Sequence, residues 1–225
     1  MRRRLYLMRH GAVSYFRDGH PVRPDDVPLT PEGRAQACAA GAMLAGVTLD
    51  RVITSGLTRT VETAALAAPD VEAETWPELE EIRGSALASI PPEELEATFV
   101  HAFRGVVPLD RRFLGGETVG ALLDRVLPAV DRLVADPGWD AALVVGHGGV
   151  NRAILSYALT GERVFFGHFE QAAGCVNVLD VGDEWIVRAV NVAPTDLAHA
   201  STRQTTMEAY WAEWGTSGPR GLAEA

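Results

Sequence analysis

Two histidines in this chain each follow a short apolar segment and stand next to glycine. His10 lies in LYLMRHG, and His147 lies in ALVVGHGG. A lone histidine near a strand end is usually an ordinary polar residue with local partners. His10, however, is preceded by Arg9, whose charge is permanent, and followed by Gly11, which lets a ligand approach the backbone. A nucleophile, a cation and a bare amide in one place suit the binding of a phosphoryl group.

A second arginine, Arg59, lies in the segment TSGLTRTVETA, where a short strand pattern is followed at once by a helical one. Positive charge in the first turn of a helix opposes the helix dipole. A solvated arginine is the ordinary explanation. An anion shared by the guanidinium and the helix N-terminus would remove the conflict, so Arg59 is a candidate anion ligand.

Strand-like and helix-like segments alternate along the chain. This alternation predicts an α/β fold, a three-layer sandwich in which helices cover both faces of a mostly parallel central sheet. The strand patterns occur at 4–8, 51–55, 141–149, 175–181 and 184–192, and the helical ones at 31–45, 57–68, 117–136 and 150–159.

Three of the predicted strands end in residues that could do chemistry. These ends are Arg9-His10-Gly11, the segment from Ser55 to Arg59, and Gly146-His147-Gly148-Gly149. In open α/β sheets, ligands bind outside the carboxyl ends of the strands. We therefore expect the three segments to meet in one crevice.

The chain is expected to form a single domain over residues 1–225. Residues 84–116 are less periodic, with Pro91-Pro92 and Gly115-Gly116, and are expected to form a cap-like insertion over the active site. Residues 194–225 form a polar C-terminal tail, in which Trp211 and Trp214 fit one short helix.

Composition limits the partners. The 225 residues are 47% hydrophobic and 22% charged, with a formal net charge of −10, so nucleic acid is not an expected partner. Cys38 and Cys175 form neither a disulfide framework nor a metal-binding pair, which fits a reducing cytoplasm. No apolar stretch suits export or a membrane span, so no membrane partner is expected either.

The motifs taken together resemble a known family. LMRHG, PLTPEGRAQA, TSGLTRTVETA, PELEEIRG, GGET and LVVGHGGVNRAIL occur in the order typical of the histidine phosphatase superfamily, in its phosphoglycerate mutase-like branch. The resemblance covers about residues 4 to 181. Each motif alone is common by chance, whereas the ordered set is specific.

The resemblance implies a role for each matching residue. His10 corresponds to the histidine that becomes phosphorylated, and Arg9 and Arg59 to the arginines that hold the phosphoryl oxygens. His147 corresponds to the second histidine, which also contacts the phosphoryl group. We add the backbone of Gly11 and Gly148 to the predicted phosphate site.

The acid is harder to assign. Spacing alone does not distinguish Glu78, Glu80 and Glu81, and a solvated acidic run would explain all three. The family's Leu-x-Glu pattern, with Leu79 in the leucine position, favours Glu81 as the catalytic acid.

One departure concerns the segment after the nucleophile. The family often has an asparagine there that contacts the phosphate, and this chain has Phe16 in its place. One donor must therefore be replaced or absent, and the wall of the site is more apolar. We expect Phe16, His20 and Arg23 to contribute to substrate binding, although solvated surface residues are the simpler explanation for the two charged ones.

The resemblance implies a phosphomonoesterase that needs no metal or other cofactor and acts through phosphohistidine on a small phosphorylated metabolite. Arginines would supply the positive charge, and the sequence has no carboxylate cluster suited to magnesium. A cofactor-dependent phosphoglycerate-type mutase and a non-catalytic phosphate-binding regulatory module remain alternatives. A homodimer is implied by the family alone.

Overall fold

The computed structural model describes residues 2–17, 20–22, 24–85, 90–201 and 203–217. Within them, six strands form one sheet. Their order across the sheet is β5 (Ala73–Thr75), β4 (Arg51–Thr54), β6 (Ala141–Gly146), β1 (Arg3–Arg9), β7 (Val176–Val181) and β8 (Ile186–Val192). Strands β1, β4, β5 and β6 are parallel, and β7 and β8 are antiparallel to their neighbours. The predicted mostly parallel sheet is confirmed. A separate antiparallel hairpin pairs β2 (Phe16–Arg17) with β3 (His20–Pro21).

Helices cover both faces of the sheet, as predicted. Alternate side chains of a strand point to opposite faces, so Leu7 packs in one hydrophobic cluster and Met8 in another. The first cluster contains residues of α4 and α5, and the second contains residues of α1 and α2. The helices are α1 (Pro31–Leu44), α2 (Thr58–Ala67), α3 (Pro92–Val100), α4 (Val119–Ala135), α5 (Gly148–Thr160) and α6 (Thr206–Ser217).

The register of the strands places the carboxyl ends of β1, β4 and β6, which the candidate site residues follow, next to one another. Arg9 at the end of β1 lies beside Gly146 of β6, and Thr54 at the end of β4 lies beside Val145. Because β6 separates β4 from β1, the residues that follow all three strands lie along one edge of the sheet. The three segments that were expected to meet therefore do so at this edge.

One boundary differs from the prediction in a way that matters for the site. The strand expected to run to 149 ends at Gly146, and α5 begins at Gly148 instead of 150. Gly148 and Gly149 therefore form the first turn of a helix. The apolar pattern concealed this boundary because every residue of β6 and most of α5 are buried.

The insertion and the tail pack against each other. The insertion carries α3, and Phe99 of α3 contacts Trp211 of α6 with ring centroids 5.9 Å apart. The tail helix predicted around the two tryptophans is present as α6, although the side chain of Trp214 lies outside the described residues.

The loop that carries His10 is fixed by contact with α1. A methyl group on Gly33 would lie 2.1 Å from the carbonyl oxygen of Ala12, and one on Gly11 would lie 2.2 Å from the carbonyl oxygen of Gly33. Thr30 caps α1 by accepting a hydrogen bond from the Gly33 amide at 3.0 Å and also donates to Ala12. Only glycine lets the two backbones approach this closely.

Gly33→Ala is expected to lower the free energy of unfolding by about 1–3 kcal/mol, although alanine normally favours a helix, because its methyl group would overlap Ala12. Urea unfolding followed by circular dichroism measures the change. Gly46→Ala is the matched control, since no atom lies within 4 Å of its added carbon. Equal stability of Gly33→Ala and wild type would contradict the close approach.

Candidate active site

His10 presents one ring nitrogen to the crevice. The side chain is 2% exposed, and its Nδ1 lies 2.7 Å from the carbonyl oxygen of Gly11. A carbonyl oxygen only accepts hydrogen bonds, so Nδ1 carries the proton and Nε2 keeps its lone pair in the neutral ring. Nε2 is therefore the nucleophilic atom that this geometry provides.

Arg9 is buried beside His10 and is held by the second half of the chain. Its Nη1 donates to the carbonyl of Gln171 at 2.5 Å and to Oγ1 of Thr206 at 2.8 Å. Its Nη2 lies 3.5 Å from the hydroxyl of Tyr210. Thr206 and Tyr210 belong to α6, so the C-terminal helix reaches the site directly.

Arg59 reaches the same crevice from the first turn of α2. It is 2% exposed, and its Nη1 donates to the carbonyl of Pro24 at 2.6 Å. Thr63, one turn further on, donates to the Arg59 carbonyl at 2.7 Å and accepts from the Gly11 amide at 3.1 Å. The start of α2 and the loop after β1 are thereby fixed to each other.

Three buried nitrogens around His10 lack hydrogen-bond partners within the described part of the chain. They are Nε of Arg9, Nε of Arg59 and Nδ1 of His147. Leaving a buried cationic donor unpaired is costly, and neither guanidinium has a carboxylate partner among the described residues. An anion with several acceptor oxygens would satisfy such donors together.

His147 lies against His10, with ring centroids 5.3 Å apart, and its Nε2 lies 2.8 Å from Oγ of Ser55. Thr60 donates its hydroxyl proton to the carbonyl of Leu57, so Ser55 must donate to Thr60 across their 3.0 Å contact. Ser55 then accepts from Nε2–H of His147. Nδ1 is consequently the nitrogen of His147 that can exchange a proton with a ligand.

Burial and the neighbouring charges of Arg9 and Arg59 hold the pKa of His10 well below its ordinary value of 6.5. Burial, Arg59, His10 and Arg9 lower the pKa of His147 in the same way. Both effects disfavour a further positive charge. Both rings are neutral near pH 7, which is the form in which His10 can act as a nucleophile.

The Glu81 side chain lies beside the first turn of α5, which directly follows His147. Its carboxylate accepts from the Gly149 amide at 3.1 Å and from the Ile82 amide at 2.9 Å. A methyl group on Gly148 would lie 3.7 Å from Oε2 of Glu81 and 3.8 Å from Nε of Arg9, so both the acid and the cation lie close to Gly148.

The other two acidic candidates are directed elsewhere. Glu78 pairs with Arg132 at 2.9 Å, and Glu80 pairs with Arg83 at 2.6 Å, both on the exposed side of the loop. The choice of Glu81 therefore agrees with the geometry.

Gly11 has contacts within the protein. Its amide was predicted to bind phosphate, and in this structure that N–H donates to Oγ1 of Thr63 at 3.1 Å. A contact between the Gly11 amide and phosphate stays a prediction. Gly11 also orients His10 through its carbonyl.

The predicted substrate-binding residues are only partly described. Phe16 lies on β2 and His20 on β3, and nothing is described of their side chains, while Arg23 lies outside the described residues. A neighbour of Phe16 is informative: Tyr15 stacks edge-on against Tyr210, with ring centroids 5.2 Å apart. Burial and then Tyr210 raise the pKa of Tyr15 to about 12, so its hydroxyl stays protonated.

The sequence analysis did not identify the buried amide residues that connect Arg9 and β1 to the rest of the core. Gln171, whose carbonyl binds Arg9, accepts from Asn151 at 3.0 Å and donates to Asn177 at 3.0 Å. Asn177 in turn donates to the carbonyl of Leu7 on β1 at 2.8 Å. A run of buried amides on three different elements leaves no local pattern, although polar residues inside apolar strands, such as Asn177, are a usable signal.

Among the described residues, no group of three or more histidine, cysteine, aspartate or glutamate side chains is placed to hold a metal ion. No helix in the same residues is long and apolar enough to cross a bilayer.

Comparison with known proteins agrees with this arrangement. The family model of the histidine phosphatase superfamily (branch 1) matches residues 5–193. The adenosylcobalamin/alpha-ribazole phosphatase of Salmonella typhimurium is 29% identical over 191 residues, which cover 79% of this chain and 90% of that protein. A 2,3-bisphosphoglycerate-dependent phosphoglycerate mutase of Rhizobium etli is 30% identical over 164 residues, 67% of this chain and 77% of that one.

The structural comparison gives the same family. A crystal structure described as an alpha-ribazole-5′-P phosphatase from Escherichia coli K-12 superposes with a TM-score of 0.66 at 27% identity, covering 84% of this chain and 96% of that one. The chain belongs to the histidine phosphatase superfamily. The predicted enzyme class, a phosphoric monoester hydrolase, is confirmed at the level of the family.

The lowered pKa values of His10 and His147 predict acid sensitivity of the fold. Below about pH 6.5 the unfolded chain binds protons that the folded chain does not, so the free energy of unfolding falls as the pH falls. Each histidine contributes up to about 1.4 kcal/mol per pH unit. Urea unfolding between pH 7 and 5, in buffers without phosphate, should show a shallower dependence for the double variant His10→Asn/His147→Asn.

His199→Asn is the control for this prediction, because His199 is exposed, whereas both site histidines are buried. The free energy of unfolding of this variant should depend on pH as steeply as that of the wild type. A double variant as acid-sensitive as wild type would contradict the burial of two neutral imidazoles.

Proposed function

We propose that the protein hydrolyses phosphate monoesters of small metabolites through a phosphohistidine at His10, without a metal ion. The observation that carries the proposal is that two buried arginines whose charges act on His10 keep unpartnered donor nitrogens. Nε of Arg9 and Nε of Arg59 are both permanently charged and both lack a partner in the described residues. A phosphoryl group has the charge and the acceptor oxygens that this set requires.

In the first step, Nε2 of neutral His10 attacks phosphorus in line with the leaving oxygen. The P–N bond forms as the P–O bond to the alcohol breaks. Arg9 and Arg59 stabilise the charge on the equatorial oxygens. The hydrogen bond from Nδ1 to the Gly11 carbonyl keeps the ring aligned and stabilises the positive charge that develops on it.

His147 assists through Nδ1. Because Nε2–H is committed to Ser55, Nδ1 accepts the proton of a phosphate monoanion and then donates it back to a phosphoryl oxygen as a hydrogen bond. This places a third positive contact on the transferred group without charging the empty site. Gly148, at the N-terminus of α5, is retained as a backbone contributor to the same group.

Glu81 acts on the leaving oxygen. In its protonated form it donates a proton to the departing alcohol, and as the carboxylate it then takes a proton from the water that attacks phospho-His10. The amides of Ile82 and Gly149 hold one carboxylate edge, so the side chain keeps a fixed direction.

The substrate proposed is a small phosphorylated metabolite, and Phe16, His20 and Arg23 are kept as proposed substrate-binding residues. Tyr15 and Tyr210 lie beside Arg9 and add two hydroxyl groups to the same region. We also propose a cytoplasmic location and a homodimer. The two cysteines are free, Cys38 exposed and Cys175 buried, which is compatible with a reducing compartment.

The test is a panel of phosphate esters in EDTA, including an aryl phosphate, 3-phosphoglycerate and alpha-ribazole 5′-phosphate. His10→Ala should abolish turnover. Rapid quenching with a ³²P-labelled substrate should trap an acid-labile, alkali-stable label on wild type and none on His10→Ala. Activity of His10→Ala close to wild type would refute the mechanism.

Arg59→Lys should lose about 100-fold or more in kcat/KM, since a point charge does not replace a guanidinium fork aimed at two oxygens. Arg34→Lys is the matched control, because Arg34 is an exposed arginine whose ion pair with Glu62 lies away from the crevice. Equal losses in the two variants would contradict the assignment of Arg59.

The products separate the alternatives. Release of inorganic phosphate in step with the alcohol supports hydrolysis. An isomerised ester without free phosphate supports a phosphoglycerate-type mutase, the activity for which the Rhizobium relative is named. Phosphate binding with no turnover of any ester supports a binding module.

A further inference from the structure

Arg125 of α4 holds the backbone of the loop that carries Glu81. Its Nη1 donates to the carbonyls of Glu78 and Glu80 at 2.7 and 2.6 Å. Its Nη2 donates to the carbonyl of Glu81 itself at 3.1 Å. One guanidinium therefore fixes three peptide units on either side of the proposed acid.

The same guanidinium is fixed in turn by Glu117. Nε and Nη2 of Arg125 donate to the two carboxylate oxygens of Glu117 at 2.8 and 2.9 Å, a bidentate pair. All five N–H groups of Arg125 are thus engaged. Glu117 also accepts from the Arg83 amide at 3.0 Å and donates its own amide to the Arg83 carbonyl at 2.7 Å.

This cluster contacts the Glu81 loop through backbone carbonyls and not through the Glu81 carboxylate. Leu79 and Ile82 are buried in the main core, which leaves the backbone of the intervening residues to be held by polar contacts. The Glu81 carboxylate is bound by the amides of Ile82 and Gly149. Its position therefore depends on the relative placement of the loop and the first turn of α5, and Arg125 sets the loop side.

We propose that Arg125, together with Glu117, is a positioning residue for proton transfer by Glu81. Arg125 touches no reacting atom. It aligns the carboxyl group with the leaving oxygen, and a displacement of about 1 Å is enough to impair a positioned catalytic group. This inference rests on the proposed function of Glu81 as the general acid.

Leaving-group dependence distinguishes positioning from simple structural support. An alkyl phosphate needs a proton on its leaving oxygen, whereas 2,4-dinitrophenyl phosphate releases a weakly basic oxygen that needs none. The quantity to measure is kcat/KM on each ester, because it reports phosphoryl transfer to His10. The ratio of the two values is unaffected by a misfolded fraction, which lowers both equally.

Arg125→Met is expected to lower kcat/KM for the alkyl ester by about 10- to 100-fold and to change that for the dinitrophenyl ester by less than about threefold. Glu117→Gln should change the ratio in the same direction by a smaller factor, since it keeps the shape and loses the charge. Arg125→Lys should resemble Arg125→Met, because an ammonium group cannot reach three carbonyls and a carboxylate at once.

Arg132→Met is the matched control. Arg132 lies two turns further along α4 and pairs with the same loop, but through the Glu78 side chain, and it packs over the ring of Trp76. Its ratio should equal that of wild type. Equal losses on both esters in Arg125→Met and Glu117→Gln would overturn the inference and leave Arg125 a structural residue.

Glu81→Gln separates failure of the inference from failure of the proposed function. It should change the ratio in the same direction as Arg125→Met and by a larger factor. An unchanged ratio in Glu81→Gln, with His10→Ala inactive, would remove the general-acid role and the inference with it, while leaving the phosphohistidine intact. Activity in His10→Ala would instead overturn the proposed function itself.

Discussion

The structure depends most on the burial of two guanidinium groups at one edge of a sheet, neither of which forms an ion pair with a carboxylate in the described part of the chain. Arg9 and Arg59 are 6% and 2% exposed, and their fixed partners are neutral oxygens. Such a site carries a positive potential, which disfavours further positive charge near it. Burial and then this potential lower the pKa of both histidines and keep the rings neutral. In the proposed function the same two arginines bind the phosphate ester, so binding and nucleophile activation would share part of their electrostatic origin.

The rest of the fold maintains this unfavourable arrangement. The buried amides of Asn151, Gln171 and Asn177 connect α5, the loop before β7 and β7 itself, and end on β1 behind Arg9. Thr63 joins α2 to the nucleophile loop. Satisfied buried networks are rigid because each member would be costly to leave unpaired. The strain of the charged site is thus offset by polar contacts spread over several elements.

The sequence could predict those parts of the site that lie within a few residues of a strand end. The α/β class, the meeting of three strand ends, and the proximity of His10, Arg59 and His147 followed from periodicity and motif order. Contacts across the chain could not be predicted in this way. Tyr210 reaches Arg9 from 201 residues away, and Arg125 reaches the Glu81 carbonyl across 44, with no local pattern that marks either.

The boundary of α5 was missed for a related reason: hydrophobic periodicity reports burial, and a strand and a helix that are both fully buried give the same run of apolar residues. The Gly148-Gly149 pair was the available clue. A methyl group on Gly149 would lie 2.5 Å from the Glu81 carboxylate, so glycine is needed where the helix amide meets the acid. If the two glycines had been interpreted as a requirement for close packing, they would have predicted that α5 begins there and that the acid contacts its first turn.

The two ends of the proposed substrate are held by different kinds of structure. The phosphoryl end faces β1, α2 and α5, whose residues are buried and joined by short contacts. In the proposed function the leaving-group end would face the insertion and α6, which contact each other through the rings of Phe99 and Trp211. Substitutions in these segments can change the alcohol that fits without disturbing the cations, because Thr206 and Tyr210 connect them to Arg9 through only neutral hydroxyl groups. One phosphoryl site can in this way serve phosphatases and mutases whose substrates differ.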